Sequence, residues 1–276
     1  MSDAKPDAEL NAVVTQRMEV APGLIILQVA PRGWELPAFE SGQYAVLGLP
    51  PAAPRCPGSE PDPEAAKPER LIKRAYSIAS SSVANSHLEF YVALVRSGGL
   101  TPRLWALRLG DPVWLGRKVT GMFTLGSVPP DVHVVLFSTG TGIAPYISML
   151  RTFLAEQCHR RFVVVHGARH SWDLGYQSEL IALHRVCRNF DYVPIISRPQ
   201  EEPISWSGLA GHCQDVWTSR VVDRLWGFRP TPENTHVFLC GNPAMIEDML
   251  QLLAQDGFRE HTKKAPGQMH LEKYWT

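Results

Sequence analysis

Within RAYSIAS, residues 74–80, three chemically different side chains fall inside four positions: Arg74, Tyr76 and Ser77. A guanidinium can grip a pyrophosphate bidentately, a phenol ring offers a plane on which a heteroaromatic ring can stack, and the adjacent hydroxyl can hydrogen-bond that ring's edge. In a strand the faces alternate, so Arg74, Tyr76 and Ile78 point one way and Ala75, Ser77 and Ala79 the other. Neither face is an ordinary core. The run equally suits an amphipathic barrel strand with an edge Arg, so its meaning depends on what accompanies it.

A second group of candidates lies further along. STGTGIAP (138–145) follows the unbroken apolar run HVVLFSTG (133–140) and leads into Ile143, Ile147, Leu150 and Leu154, whose spacing marks one face of a helix. Glycines at such a corner let a ligand approach the backbone, and a helix N-terminus presents N–H groups to a phosphate. The pattern is neither G-x-G-x-x-G nor a Lys-bearing phosphate loop, and alone it also fits a structural turn. CGNPAMIEDML (240–250) predicts a second such corner, with Asn242 as cap and Pro243 entering the helix. Arg169 and Arg198 each stand just past a predicted strand end. Singly each reads as a solvated surface residue, but together with the two corners they outline a rim suited to a dinucleotide.

The elements that must carry these residues change rhythm midway. GLIILQVA (23–30), QYAVLGL (43–49), RAYSIAS, HLEFYVALV (87–95), DPVWLG (111–116) and GMFTLG (121–126) read as short strands, which favours a small closed antiparallel barrel. Between them, PPAAPRCPGSEPDPEAAKPER (50–70) has no apolar periodicity and reads as a mobile surface loop. SGGLTPRLWAL (97–107) predicts a short helix with Thr101 as N-cap and Pro102 first. In the second half HVVLFSTG, RFVVVHGAR (161–169), DYVPIISR (191–198) and THVFLCGN (235–242) alternate with helical segments, which predicts a parallel α/β sheet. Pro and Gly cluster at GSVPPD (126–131). Domains over 1–127, including the 50–70 insertion, and 128–276 are expected.

Bulk properties exclude several classes. With 276 residues, 45% of them hydrophobic, the chain can bury two cores. Lys+Arg of 27 against Asp+Glu of 27 leaves no global field to recruit nucleic acid or an anionic membrane. MSDAKPDAEL lacks the features of a secretory signal, and no run of about 18 apolar residues occurs, so a soluble cytoplasmic chain is expected. The five cysteines are scattered without a C-x-x-C pair, so free thiols and no zinc or iron-sulfur site are expected.

Taken in order, RAYS, EFYVALV, GGLTPRLW, TGTGIAPYISMLRT, HGAR, SR, CGNPAMI and EKYW resemble the ferredoxin-NADP+ reductase family, in particular its bacterial branch serving ferredoxin or flavodoxin. The resemblance runs from about residue 11 to 276 and implies an FAD-binding antiparallel barrel followed by a Rossmann-like NADP(H)-binding domain. It implies that Arg74 holds the FAD pyrophosphate, that Ala75 and Tyr76 line the flavin with Tyr76 stacking on it, and that Ser77 meets the N5 edge. Tyr91 is implied near the ribityl or adenosine portion, with Gly99, Leu100 and Thr101 donating to the phosphates through backbone and hydroxyl. Thr141 and Gly142 are placed where the cofactors meet. Ala168, Arg169, Ser197 and Arg198 match positions receiving the 2'-phosphate, and Asn242, Pro243, Ala244 and Asp248 line the rest of the NADP(H) site. Tyr274 is implied over the isoalloxazine and Trp275 over adenine, with Cys240 and Glu272 near the nicotinamide; Ser77, Glu272, Tyr76 and Cys240 form the catalytic set.

One departure concerns LAGH (209–212), where His212 stands in place of an Arg common among bacterial relatives. A neutral imidazole is a weaker phosphate partner. The implied activity is FAD-mediated electron transfer between NADP(H) and an acidic ferredoxin or flavodoxin, by a monomer. From Lys67 to Lys118 the chain carries nine Lys or Arg against three Asp or Glu, an excess suited to such a partner and equally to a solvated barrel surface. Two other readings share the motifs: an NAD(P)H-dependent flavin reductase or oxygenase reductase component, and a non-catalytic flavin-binding redox sensor.

Overall fold

The computed structural model describes residues 10–62, 70–157 and 159–273. The chain divides into two units, Met1–Met122 and Phe123–Thr276. In the first, β1 (Ala12–Ala21), β2 (Leu24–Pro31), β3 (Tyr44–Leu49), β4 (Ile72–Ser77), β5 (Leu88–Ala93) and β6 (Pro112–Leu115) form an antiparallel sheet in the order β4-β3-β6-β1-β2-β5. Past the end of β4, Ile78 bridges to Phe90 of β5. That bridge joins the two outermost strands and closes the sheet into a barrel, which removes its open edges. Alternate residues fill the interior, among them Val14, Ile25, Leu27, Leu47, Phe90 and Leu115. Each contributes about 1.5–3 kcal/mol by leaving water.

Three local expectations are corrected. GMFTLG is not a strand: Gly121 has φ +133°, and Leu125–Ser127 form a 3-10 turn closed by Gly126 N–H donating to Thr124 Oγ1 at 3.4 Å. Phe123 instead enters the second unit's interior, 5.1 Å edge-on from Phe238. The short helix α1 spans Thr101–Ala106 with Leu100 as N-cap, so Thr101 lies inside it; its hydroxyl donates to Val95 O and accepts from Val95 N–H, each at 3.0 Å. The Pro-rich stretch is fastened rather than loose over 51–62, where Cys56 is buried and Cys56 N–H donates to Pro102 O at 2.9 Å.

The second unit holds a parallel sheet. Its elements are β7 (His133–Thr139), α2 (Ala144–Phe153), β8 (Phe162–Ala168), α3 (Gln177–Val186), β9 (Phe190–Ile196), β10 (Leu209–Ala210), α4 (Cys213–Thr218), α5 (Val221–Trp226), β11 (Thr235–Gly241), α6 (Pro243–Gln255) and β12 (Met269–Lys273). The strand order is β10-β9-β8-β7-β11-β12. Val135, Phe137, Val163, Val165, Val237 and Leu239 form one buried sheet face, on which α4, α5 and α6 set Trp217, Trp226, Ile246 and Met249. From β7 the chain winds outward through β8, β9 and β10, then returns on the other side with β11 and β12. The reversal between β7 and β11 opens a crevice at the carboxyl edge, the usual ligand position in such sheets.

Candidate cofactor sites

Two sites emerge, one in each unit. In the barrel, β4 places Ser77 inside, Tyr76 half-buried and Arg74 and Ala75 in solvent. Tyr76 meets Phe90 edge-on at 6.4 Å, and burial raises its phenol pKa, with Arg74 acting in opposition. The antiparallel Ile78–Phe90 bridge sets a register. Beyond β5 the chain runs into the 95–101 segment. There Gly99 and Leu100 are buried, yet neither N–H has a hydrogen-bond partner among the described residues. A buried N–H without an acceptor is costly, and two in succession fit an anion such as the FAD pyrophosphate. The Thr101 hydroxyl is engaged by Val95, so it is not among the open donors of this loop. Tyr91 is buried on β5 opposite Ile26.

In the second unit the two corners expected from sequence stand side by side across the crevice. After β7, Gly140–Ile143 make a 3-10 turn containing Thr141 before α2 begins. After β11, Asn242 caps α6 by accepting from Ala244 N–H at 2.8 Å, with Pro243 following. Asn242 N–H donates to Thr139 Oγ1 at 2.7 Å and ties the corners together. A Cβ on Gly142 would lie 2.3 Å from Cys240 O, so only glycine permits this approach. Gly241, at φ +133°, is equally pressed against Thr139.

Three neighbouring strand ends deliver the expected phosphate ligands. Beyond β8 and β9, Ser197 N–H donates to Ala168 O at 3.0 Å and Arg198 N–H to Arg169 O at 2.9 Å. Beyond β10, Gly211 N–H donates to Ile196 O, which brings His212 to the same edge. The two guanidinium groups are exposed. Cys240 and Glu272 pair in register on β11 and β12, with Sγ 3.7 Å from Oε2. Asp248, on the second turn of α6, accepts from Gln214 Nε2 at 2.8 Å. Tyr274 and Trp275 lie outside the described residues.

Sequence reasoning overlooked Thr139, the tie between the corners, although it adjoins the glycines already singled out. It also passed over Glu201 and His170. Arg198 Nη1 lies 3.5 Å from Glu201 Oε1, while His170 shares one nitrogen with Glu201 Oε2 at 2.8 Å and the other with Asp173 at 3.2 Å. The Trp172 ring stacks on His170 at 4.3 Å. Those carboxylates hold the His170 pKa above its ordinary value, chiefly through Glu201, and His170 in turn lowers that of Glu201. The i,i+3 spacing of Arg198 and Glu201 was the available signal.

Among the described residues no cluster of three or more His, Cys, Asp or Glu is placed to hold a metal, and no helix is long and apolar enough to cross a membrane. Comparison with known proteins first defines the class: residues 136–251 match the model of the oxidoreductase NAD-binding domain. The chain is 32% identical over 238 residues to the flavodoxin/ferredoxin–NADP reductase of Escherichia coli, covering 86% of this chain and 88% of that protein. It is 30% identical to the ferredoxin–NADP reductase of Azotobacter vinelandii, covering 80% and 79%. A crystal structure of a ferredoxin NADP+ reductase from Neisseria gonorrhoeae with bound FAD and NADP superposes with a TM-score of 0.79 at 25% identity, covering 96% of this chain and 98% of that one. The chain belongs to the flavodoxin/ferredoxin–NADP reductase family.

Proposed function

We propose that this chain is an enzyme that transfers electrons between NADP(H) and a one-electron carrier protein, a ferredoxin or flavodoxin, using FAD. The observation that carries the reading is the junction of Arg169 with Arg198 at the carboxyl edge of the parallel sheet, in a chain similar over both units to flavodoxin/ferredoxin–NADP reductases. Bound FAD supplies the exchange of a nicotinamide hydride for single electrons. The barrel unit binds it: Arg74 and the Gly99 and Leu100 amides neutralise the pyrophosphate, Tyr76 and Ala75 line the ring system, Ser77 hydrogen-bonds its edge, and Tyr91 borders the remainder. The parallel-sheet unit binds NADP(H). Arg169 and Arg198, flanked by Ala168, Ser197 and His212, take the 2'-phosphate; Thr141, Gly142, Asn242, Pro243, Ala244 and Asp248 border the crevice.

Cys240 and Glu272 are assigned to the nicotinamide end, and Tyr274 and Trp275 to covering the flavin and adenine rings. The basic excess around the barrel attracts an acidic carrier, and the protein acts as a cytoplasmic monomer. Stopped-flow reduction of the FAD-loaded protein tests the whole reading. Flavin bleaching that saturates at much lower NADPH than NADH is expected, followed by reoxidation by ferredoxin or flavodoxin that slows with added salt. Absence of bleaching with either nucleotide would overturn it.

A further inference from the structure

The Pro-rich insertion between β3 and β4 meets the phosphate loop through three charged side chains. Arg103, in the first turn of α1, is 1% exposed. A cation buried there has lost its water, so it needs a nearby anion. The insertion supplies one: Asp62 accepts from Arg103 Nη2 and, at 3.3 Å, from Arg55 Nη1. The side chains of Arg55 and Asp62 are themselves only 14% and 17% exposed.

Other donors of the two arginines are shared between the insertion, where Arg103 Nη2 also donates to Pro51 O, and the loop. Arg55 Nη1 donates to Gly98 O at 3.0 Å, and Arg103 Nη1 to Gly99 O at 2.6 Å. Arg55 Nη2 adds Arg96 O at 3.1 Å and Glu60 O at 2.9 Å. A trans peptide points its C=O and the following N–H in opposite directions, and no cis bond is found among the described residues. Holding Gly98 C=O therefore turns Gly99 N–H away from Arg55, and holding Gly99 C=O turns Leu100 N–H away from Arg103. These are the two buried amides that lack a partner.

We infer that Asp62 and Arg55 of the insertion are positioning residues for the FAD pyrophosphate: acting with Arg103, they fix two successive peptide planes so that Gly99 and Leu100 present both N–H groups to it. The inference rests on the proposed FAD site in the barrel. It makes the insertion part of the cofactor site without any contact with the cofactor. Arg55 is the finer control, because its loss frees Gly98 C=O while Asp62 and Arg103 stay paired.

The test is direct binding to the full-length apoprotein, comparing FAD with riboflavin, which has the isoalloxazine but no phosphate. Asp62→Ala is expected to weaken FAD about ten-fold, as the loss of well-aimed phosphate bonds would. Riboflavin affinity should stay unchanged, and the 31P resonances of bound FAD should shift. Arg55→Ala, the milder change should Asp62→Ala not fold, is expected to weaken FAD about three-fold in the same selective way. Unchanged FAD affinity in Arg55→Ala, or equal weakening of FAD and riboflavin, would overturn the inference and leave the insertion as a general brace. Failure of the underlying reading looks different: the unaltered protein would bind FAD no better than riboflavin, and Arg74→Ala would change neither.

Discussion

The two phosphate-directed sites solve the same electrostatic problem in opposite ways. In the barrel the proposed donors, besides Arg74, are backbone amides of buried residues, beside arginines whose own charges are met internally by Asp62. In the parallel-sheet unit the proposed donors are the exposed guanidinium groups of Arg169 and Arg198, and Arg198 already leans on Glu201 at 3.5 Å. A preorganised amide nest loses little entropy on binding, whereas a long solvated side chain must be ordered and drawn from a competitor. The first arrangement suits a cofactor that stays; the second suits a substrate that must leave.

The largest effect should come from breaking the frame between β7 and β11. Gly142→Ala drives a Cβ into Cys240 O, and a loss of about 3 kcal/mol in unfolding free energy is expected by denaturant titration. Flavin reduction by NADPH should fail in parallel. Arg198→Ala leaves the frame intact and removes one side-chain donor, so the KM for NADPH should rise about ten-fold while that for NADH stays level. A parallel rise for both nucleotides would place the 2'-phosphate elsewhere.

Acid should separate the buried from the exposed histidines of the second unit. His236 Nδ1 and His270 Nε2 lie 2.9 Å apart, and His270 also stacks on Phe238 and His261. Burial lowers the pKa of His236 to about 4, helped by His261 and Arg160, and that of His270 to about 3, helped by His236 and His261. The unfolded chain binds these protons near pH 6.5 and the fold refuses them, so their contribution is complete above that value and lost as pH falls toward about 3. The melting temperature should drop across that interval, and His270→Phe should flatten the slope. The smallest effect tests the competitor: Glu201→Gln should lower the KM for NADPH about three-fold, as expected for an exposed pair. No change would mean that Arg198 is free for phosphate despite its neighbour.

Periodicity over short distances made most of the second unit legible. Ile143, Ile147, Leu150 and Leu154 are all buried as their spacing implies, and Asn242 with Pro243 opens α6 where expected. The corners STGTG and CGNP, and the arginines past two strand ends, were visible because each is a local signal at an element boundary. GMFTLG misled for the opposite reason: its apolar residues fit a strand, but Phe123 is claimed by Phe238 of another element. Thr101 missed its cap because its hydroxyl found Val95 first.

Sequence alone therefore determined the order of barrel and parallel sheet and the glycine corners at its strand ends, since hydrophobic period and turn chemistry act between near neighbours. Only the tertiary structure decided which donors are free. The Pro-rich insertion carries no period because its order comes from charged side chains reaching carbonyls, as when Asp62 meets Arg103 or Arg55 holds Gly98. Such bonds join residues about forty positions apart, and they exist only once the barrel has closed.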